Sequence, residues 1–381
     1  MHDFHLPVGP QHPSIIEPMH LNLKVDGETV TGLDFTLGYN HRGIEKAFEG
    51  RPWMKCIYLS ERVCGICSFH HQLCFTQGVE KLMGIEIPER AKYIRTIMAE
   101  LERLHNHFLW LGLLAFEMGF DTLFHYLIRD RELVMELFEI LCGNRVHYSI
   151  NTIGGVRRDI DLEKANLVEK NLDKLEERSR HYLKVFQTDS SILKRIKGIG
   201  ILPPKQAQEL NVVGPVARAS GINYDIRNLG YLKYSQLKFK PVIEEGCDTL
   251  ARTIVRIKET LESIRLVQEA VIEIPKGKIK VSGKIHAPEG EVTSRVEALR
   301  GELFYYILSG DDHPHRVKIR TPTYANIHSL KQILLNQQIA DVPVAVISLD
   351  PCWACCDRMT LIDNRTGRKR MITKEELRHA D

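Results

Sequence analysis

Residues 61–71 read ERVCGICSFHH and residues 350–358 read DPCWACCDR, so each end of the chain carries a cysteine pair in the spacing CxxC. The four cysteines are Cys64, Cys67, Cys352 and Cys355. Four thiolates in two such pairs are typical of a metal site.

Three kinds of site suit two CxxC pairs. A structural zinc site uses four cysteines, but its pairs usually bracket a loop of about 12–20 residues, whereas nearly the whole chain separates these two. A thioredoxin-like redox pair suits VAVISLDPCWAC (344–355), where an apolar run precedes the CxxC, but it leaves the first pair unexplained. The third kind is a redox or catalytic centre of soft metals, which thiolates prefer over hard cations.

Composition argues against several other classes of protein. The 381 residues carry a net charge of +3, with 27% charged residues and no basic stripe interleaved with aromatics, so we expect no nucleic-acid partner. The most apolar long run, 108–128, contains Glu117 and Asp121, which predicts a buried helix rather than a membrane span. The N-terminus has no signal-peptide pattern, so the nine cysteines predict reduced thiols in a cytosolic protein. Four of them are predicted to be small buried hydrophobic residues: Cys56, Cys74, Cys142 and Cys247.

Hydrophobic periodicity predicts an α+β fold that is mainly α, with a central bundle of long helices and small β-containing parts at both ends. We expect four segments: an N-terminal β-hairpin region (1–40), a helical bundle with the first CxxC (41–274), an α/β region with the second CxxC (275–358) and a C-terminal tail (359–381). In the first segment, apolar alternation over 20–38 around Asp26-Gly27 predicts the hairpin.

The long helices are predicted from apolar residues spaced by threes and fours. One starts near Pro88, with a core face of Ala91, Ile94, Met98, Leu101 and Leu104, and another spans about 250–271. Segments 122–142 and 161–187 are also predicted to be helical, the latter with Asp161 as N-cap. Short strands to about residue 320 and then brief helices are expected before Cys352. The tail is predicted to form a hairpin and a short helix, in which Thr373 and Glu376 have capping-box spacing.

Seven motifs together resemble those of [NiFe]-hydrogenase large subunits. They are VGPQHPSIIEP, LGYNHRGIEKA, RVCGICSFHH, NTIGGVRRDI, VGPVARASG, EALRGEL and DPCWACCDR, in the order in which the family has them. The resemblance is to the energy-converting, membrane-associated hydrogenases of the formate hydrogenlyase and CO-induced kind, which are also similar to the 49 kDa subunit of complex I. It implies a catalytic subunit that interconverts 2H⁺ plus two electrons and H₂, with the metal site where the chain ends meet.

The resemblance also implies the metal ligands. Cys64 and Cys352 correspond to terminal nickel ligands, and Cys67 and Cys355 to ligands that bridge nickel and iron. The iron of such a centre carries one CO and two cyanides, Fe(CN)₂(CO). Metal-bound thiolates are deprotonated, so ionising them requires no nearby base.

Further side chains are implied around that centre. His71 corresponds to a donor to a bridging sulfur, a kind of partner that orients and tunes metals. Arg300 in EALRGEL resembles an arginine placed over the metals that donates to the cyanides. Pro322 and Thr323 in RTPTYAN resemble the second cyanide pocket, and an ordinary turn before a helix is an equally good interpretation of these two.

A proton must leave such a site through a titratable group within hydrogen-bond reach. Glu45 in HRGIEK resembles the glutamate that takes a proton from the terminal thiolate, here Cys352. Glu17 in SIIEP resembles a glutamate of the membrane-bound relatives, and the sequence leaves both routes open. Where complex I relatives carry a quinone-binding histidine, this chain has Ile16. That difference favours a hydrogenase over the alternative, a non-catalytic or quinone- or sulfur-type coupling subunit.

Electrons require a partner, because the remaining cysteines of the sequence form no cluster suited to an iron–sulfur centre. The resemblance implies a small [4Fe-4S] hydrogenase subunit and membrane subunits that move H⁺ or Na⁺. Electron input is expected from a ferredoxin-like protein, formate or CO dehydrogenase, and the location is expected to be peripheral, on the cytoplasmic face of the cell membrane. In many relatives a protease removes the segment after the position of Arg358, so 359–381 is either retained or removed. Arg358 stands where uptake hydrogenases have a metal-associated histidine, and no magnesium site is predicted.

Overall fold

The computed structural model describes residues 4–13, 15, 17–281, 287–310, 312–356, 358, 361–362, 365–366 and 369–370. About half of the chain is helical and the strands form antiparallel sheets, so the α+β class is confirmed. The predicted tail helix with Thr373 and Glu376 lies outside the described residues, as does Ile16.

The N-terminal sheet contains the predicted hairpin and one further strand. Its strands are β1 Phe4–Val8, β2 His20–Asp26 and β3 Thr29–Thr36, antiparallel in the order β1-β2-β3. Gly27 makes the turn of the hairpin in the left-handed region, at φ 59°, where glycine is favoured. One face of the sheet is buried, which accounts for the apolar alternation in β2 and β3. The sequence did not reveal β1, because FHLPV shows no comparable alternation.

The helical part follows the predicted segments closely. Its helices are α1 Ile44–Phe48, α2 Trp53–Glu61, α3 Ser68–Met83, α4 Glu89–Glu117, α5 Asp121–Cys142, α6 Leu162–Thr188, α7 Ser190–Ile196, α8 Pro204–Glu209, α9 Pro215–Arg218 and α10 Thr249–Glu273. A short hairpin, β4 Asn151–Thr152 and β5 Gly155–Val156, lies between α5 and α6. The Asp161 carboxylate caps α6 by accepting the Lys164 amide at 2.9 Å, as predicted.

Helix α4 is buried far more completely than the predicted single core face implies. It packs against α5, α10 and α3, so most of its residues from Ala91 to Ala115 are buried, including Arg95, Glu100, Glu102 and Arg103. These charged side chains are paired inside the protein. From helical periodicity alone these charged residues are predicted to face solvent, because the pattern in one segment does not show which oppositely charged side chains on other elements will pair with them.

The C-terminal part has the predicted strands followed by brief helices. These elements are β6 Gly290–Ala298, β7 Gly301–Ser309, β8 Pro314–Arg320, α11 Pro322–Asn326, α12 Leu330–Leu334 and α13 Val342–Ile347. The three strands form an antiparallel sheet, and α3 packs against β6 and β7. In the tail, β9 Leu361–Ile362 pairs with β10 Lys369–Arg370, which confirms the predicted hairpin.

Three of the four isolated cysteines are buried, as predicted: Cys56, Cys74 and Cys142. Cys247 differs, because it is only partly buried and lies in the left-handed region at φ 61°. It stands in the irregular segment just before α10, where no apolar periodicity is present to indicate burial.

Candidate metal centre

The two CxxC loops come together in the interior. Cys64 follows α2 and Cys67 immediately precedes α3, while Cys352 and Cys355 follow α13. The sulfurs of Cys64 and Cys352, 288 positions apart in sequence, are 3.4 Å from each other. All four thiols are buried, with 1–5% of each residue exposed. The fold therefore joins the chain ends at a cluster of four cysteines.

The four thiols also share hydrogen bonds. Cys64 interacts with Cys352, Cys355 and Cys67, and these bonds hold the pKa of its thiol well below the usual range. Hydrogen bonds to neighbouring thiols, followed by burial, raise the pKa of Cys67 and of Cys355. Among the described residues, no three His, Cys, Asp or Glu side chains have the arrangement of a metal-binding set.

The first CxxC loop is fixed by a carboxylate from α4. Glu102 accepts the backbone amides of Phe69 and His70, at 2.7 and 3.1 Å, in the first turn of α3. The same carboxylate contacts Nδ1 of His70 at 2.6 Å, and both side chains are fully buried. A carboxylate at a helix N-terminus satisfies free amides and complements the helix dipole. Because Cys67 is the N-cap of α3, Glu102 fixes the position of that cysteine.

The second CxxC loop is fixed by Thr323 and Glu17. The Cys352 amide donates to the Thr323 hydroxyl at 3.1 Å, and the Ala354 amide donates to the Glu17 carboxylate at 2.8 Å. Pro322 and Thr323, both buried, open helix α11 beside this loop. These two residues therefore lie next to the cysteines, and the structure assigns Thr323 a hydrogen bond that the sequence did not predict.

Arg300 contacts one of the four thiols. It occupies the two-residue turn between β6 and β7, and its Nη1 donates to the Cys67 sulfur at 3.1 Å. The turn is packed tightly against Gly214, where a Cβ would come within 2.2 Å of the Arg300 carbonyl oxygen. The motifs VGPVARASG and EALRGEL, which contain Gly214 and Arg300, thus meet at this contact, and only glycine fits there.

A carboxylate missed by the sequence analysis orients Arg300. Its Nη2 and Nε donate to Asp350, to the side chain at 2.9 Å and to the backbone carbonyl at 2.7 Å. Asp350 also accepts the Asn106 amide at 2.8 Å and lies in the left-handed region at φ 57°. In the sequence, only its position two residues before Cys352 indicated that Asp350 could belong to the site. Its pairing with Arg300 becomes visible only in the folded structure.

His71 is close to the cluster but is oriented by a tyrosine. Its Nδ1 is 2.8 Å from the Tyr305 hydroxyl of β7, and both residues are buried. Burial lowers the pKa of His71 to about 4, so the ring is neutral at physiological pH. Tyr305 was not predicted as a site residue, because in sequence it is one of several apolar residues in a strand.

The two candidate glutamates have different surroundings. A Glu17 oxygen lies 3.6 Å from the Cys352 sulfur, and burial raises the pKa of its carboxyl. Glu45 accepts hydrogen bonds from three donors: the Ile319 amide at 2.9 Å, Lys318 at 3.0 Å and Arg358 at 3.1 Å. Arg358, which stands where a metal-associated histidine occurs in uptake hydrogenases, thus pairs with Glu45.

A network of buried charges lies between α4, α9, α10 and β6. Its members are Glu100, Arg103, His107, Arg218, Asp225, Arg227, Glu259 and Glu297, each at most 4% exposed. Arg218 bridges Glu259 and Glu297, with both contacts at 2.7 Å. Burial, and then the charge of Asp225, raise the pKa of the Glu297 carboxyl to about 7.

Two family models match most of the sequence. Residues 42–116 match the nickel-dependent hydrogenases, and residues 117–285 and 280–358 match the 49 kDa subunit of the respiratory-chain NADH dehydrogenase. Within the described part of the chain, no helix combines the length and apolar character that crossing a membrane requires.

Several curated relatives are similar over almost their whole length. The membrane-bound hydrogenase subunit alpha of Pyrococcus furiosus is 40% identical, over 98% of this chain and 91% of the relative. The carbon monoxide-induced hydrogenase of Rhodospirillum rubrum is 38% identical, over 94% of this chain and 100% of the relative. One subunit of the F(420)H(2) dehydrogenase of Methanosarcina mazei is 39% identical, over 92% of this chain and 96% of the relative.

Among solved structures, a chain of the membrane-bound sulfane sulfur reductase, an archaeal respiratory membrane complex, matches with a TM-score of 0.89. The two chains are 33% identical, and the match covers 93% of this chain and 98% of the other. The relatives therefore include hydrogenases, complex I-like subunits and a sulfur reductase.

Proposed function

Because the chain belongs to the family of energy-converting, membrane-associated [NiFe]-hydrogenase large subunits, similar to the complex I 49 kDa subunit, we propose that it is the catalytic subunit of such a hydrogenase. The proposed reaction is the reversible combination of 2H⁺ and two electrons into H₂, with H₂ evolution as the working direction. The observation that carries the proposal is the convergence of four buried cysteines, with the Cys64 and Cys352 sulfurs 3.4 Å apart.

The chemistry of the donor set fits nickel and iron. Thiolate sulfur is a soft ligand that favours these metals over hard cations. Cys64, Cys67, Cys352 and Cys355 would hold the nickel and the iron of such a centre, whose iron carries CO and two cyanides. When bound, this centre supplies the redox chemistry by which H₂ is formed or split. Arg300, Pro322 and Thr323 line the side proposed for the cyanides.

Glu17 is the proposed proton carrier. Its oxygen is 3.6 Å from the Cys352 sulfur, within hydrogen-bond reach for a sulfur atom. Burial favours the protonated form of Glu17, which suits a group that receives a proton and passes it on. Glu45 is proposed to act further along the proton route or to hold the surrounding segments in place, because it forms ion pairs with Arg358 and Lys318.

The other residues around the thiols hold and orient the side chains that contact the centre. Asp350 holds Arg300 against Cys67, where a fixed guanidinium stabilises negative charge in a dry site. The neutral His71 ring, oriented by Tyr305, is proposed to support a bridging sulfur without adding charge. Preorganisation of this kind lowers the cost of charge rearrangement during the reaction.

Electrons are proposed to arrive from a partner with an iron–sulfur cluster, docked together with ion-translocating membrane subunits. The similarity to subunits of membrane-bound respiratory complexes supports membrane partners and a peripheral position. The small [4Fe-4S] subunit and the ferredoxin, formate or CO input are proposed on the same basis.

The second candidate is a coupling subunit without nickel, as in the complex I-like relatives. The likeness to the F(420)H(2) dehydrogenase component and to the sulfane sulfur reductase favours it. The complete set of four converging thiols supports the hydrogenase instead, since a coupling subunit has no need of them.

Metal analysis of the purified complex tests the proposal. We expect nickel near one per chain, and we expect Cys352→Ser to lose both nickel and H₂ evolution. Cys356→Ser is the matched control, because Cys356 is an adjacent buried cysteine without a proposed ligand role. Zinc without nickel would assign the cysteines to a structural site. The absence of both metals would favour the second candidate, a coupling subunit.

A further inference from the structure

One guanidinium joins the two CxxC loops. Nη1 of Arg42 donates to the Arg62 carbonyl at 2.9 Å, and Nη2 donates to the carbonyls of Val63 at 2.8 Å and Ala354 at 2.9 Å. The first two carbonyls immediately precede Cys64, and the third lies inside the second CxxC. Arg42 and Ala354 are 312 positions apart, so a single side chain ties together loops from opposite ends of the chain.

The backbone around Arg42 is held firmly enough for this role. Gly43 follows in the left-handed conformation at φ 63° and starts α1, whose Ile44 and Phe48 side chains are buried. The α1 segment is thus anchored in the core while the Arg42 side chain extends along the edge of the site. The rigid, planar guanidinium has five N–H donors, whereas a lysine ammonium is a compact point charge with three. Three carbonyls from two loops therefore suit arginine.

The Ala354 peptide is held from both sides. Its N–H donates to Glu17 at 2.8 Å, and its carbonyl accepts from Arg42 at 2.9 Å. Ala354 lies between Cys352 and Cys355, so fixing the peptide groups on its two sides restricts the backbone that carries both thiols. Opening the Arg42 bond frees one of these restraints and lets the second loop move away from the first.

We propose that Arg42 is a positioning residue, a latch that holds the second CxxC loop against the first so that the four thiols share one centre. Its significance for metal retention rests on the proposed function. The latch itself concerns only the two loops and is measurable whichever metal they hold. In this role Arg42 acts through the backbone carbonyls of the two loops.

Hydrogen–deuterium exchange in the purified complex tests the latch. In Arg42→Ala we expect the amides of 352–356 to exchange about tenfold faster, the factor that corresponds to losing one hydrogen bond to a charged group. The amides of Cys352 and Ala354 are informative, because Thr323 and Glu17 accept them. Arg51→Ala is the matched control, since the Arg51 guanidinium bonds the Ala47 carbonyl within its own segment.

Two further measurements separate a latch from a general structural role. Added guanidinium at a non-denaturing concentration is expected to restore the protection in Arg42→Ala, and metal loss to a chelator is expected to accelerate in that variant but not in Arg51→Ala. If Arg42→Ala does not assemble, Arg42→Lys is used, with an expected intermediate exchange rate. Unchanged exchange of the 352–356 amides in either Arg42 variant overturns the latch. A wild-type complex without nickel refutes the proposed function but leaves the exchange result to decide the latch.

Discussion

Replacing Glu17 by Gln removes a protonatable group while leaving the second CxxC loop in place. The Gln amide oxygen still accepts the Ala354 N–H that Glu17 accepts at 2.8 Å, so we expect nickel content and thermal stability to remain near wild type. The side chain no longer accepts a proton from the Cys352 sulfur, 3.6 Å away. A positioned acid–base group contributes about 10²–10⁴-fold, so H₂ evolution is expected to fall at least about hundredfold, about 2.7 kcal/mol in barrier height.

Glu45→Gln gives the contrasting expectation. The Gln side chain still accepts the Ile319 amide, but it loses its charge opposite Lys318 and Arg358, whose side chains are 48% and 32% exposed. Partly exposed pairs of this kind contribute about 0–1 kcal/mol each. We therefore expect H₂ evolution to fall less than about thirtyfold, because the two pairs together contribute no more than about 2 kcal/mol.

The assay is H₂ evolution from a reduced viologen dye by the purified complex, normalised to nickel per chain. Glu49→Gln is the control, because Glu49 pairs with Arg316 at the same edge and has no proposed role in proton transfer. If Glu45→Gln abolishes activity at full nickel occupancy while Glu17→Gln retains it, the assignment of Glu17 is wrong. Equal large losses in both variants would show a shared route.

Three further outcomes are expected. The pKa of the Glu297 carboxyl is about 7 in the folded protein, against about 4.5 in the unfolded chain. Between these two pH values the folded protein holds a proton that the unfolded chain has released, so stability falls as pH rises from about 4.5 to 7. Glu297→Gln is therefore expected to flatten the decline in Tm across that window relative to wild type, and a parallel Tm profile would contradict this. Glu102→Ala leaves the first turn of α3 and the His70 ring without their acceptor. We expect the free energy of unfolding, measured by denaturant titration of the complex, to fall by about 3 kcal/mol. A loss below about 1 kcal/mol would contradict a capping role for Glu102. Cys356→Ser is expected to keep wild-type nickel content by metal analysis, and loss of nickel would make Cys356 a ligand.

Much of the frame around the candidate site was predictable because it depends on local patterns. Apolar spacing located the long helices to within a few residues, and alternation located the β2–β3 hairpin. The resemblance to hydrogenase large subunits implied that the chain ends meet, and the sulfurs of Cys64 and Cys352 lie 3.4 Å apart. The roles assigned to the individual thiols, in contrast, stay predictions.

The polar framework of the site was not predictable, because each contact joins distant segments. Arg42, Glu102 and Asp350 are ordinary charged residues in sequence, and each becomes informative only when the fold supplies its partner. Tyr305 looked like one more apolar strand residue until its hydroxyl was found beside His71. The buried charges of α4 were hidden for the same reason, since helical periodicity separates apolar from polar residues but does not distinguish a paired polar residue from a solvated one.

The separation of the two CxxC pairs also sets the order of events during synthesis. At about 5–20 residues per second, a ribosome needs about 15–60 s to travel from Cys64 to Cys352, which are 288 positions apart. Throughout that interval the first pair of thiols has been made while the second does not yet exist. A nascent chain therefore lacks half of the cluster until Cys352 and Cys355 have been made, and any premature stop before Cys352 yields helices without a complete site. Completion of the four-thiol cluster thus waits for the second pair, long after the first pair and the helices between them have been synthesised.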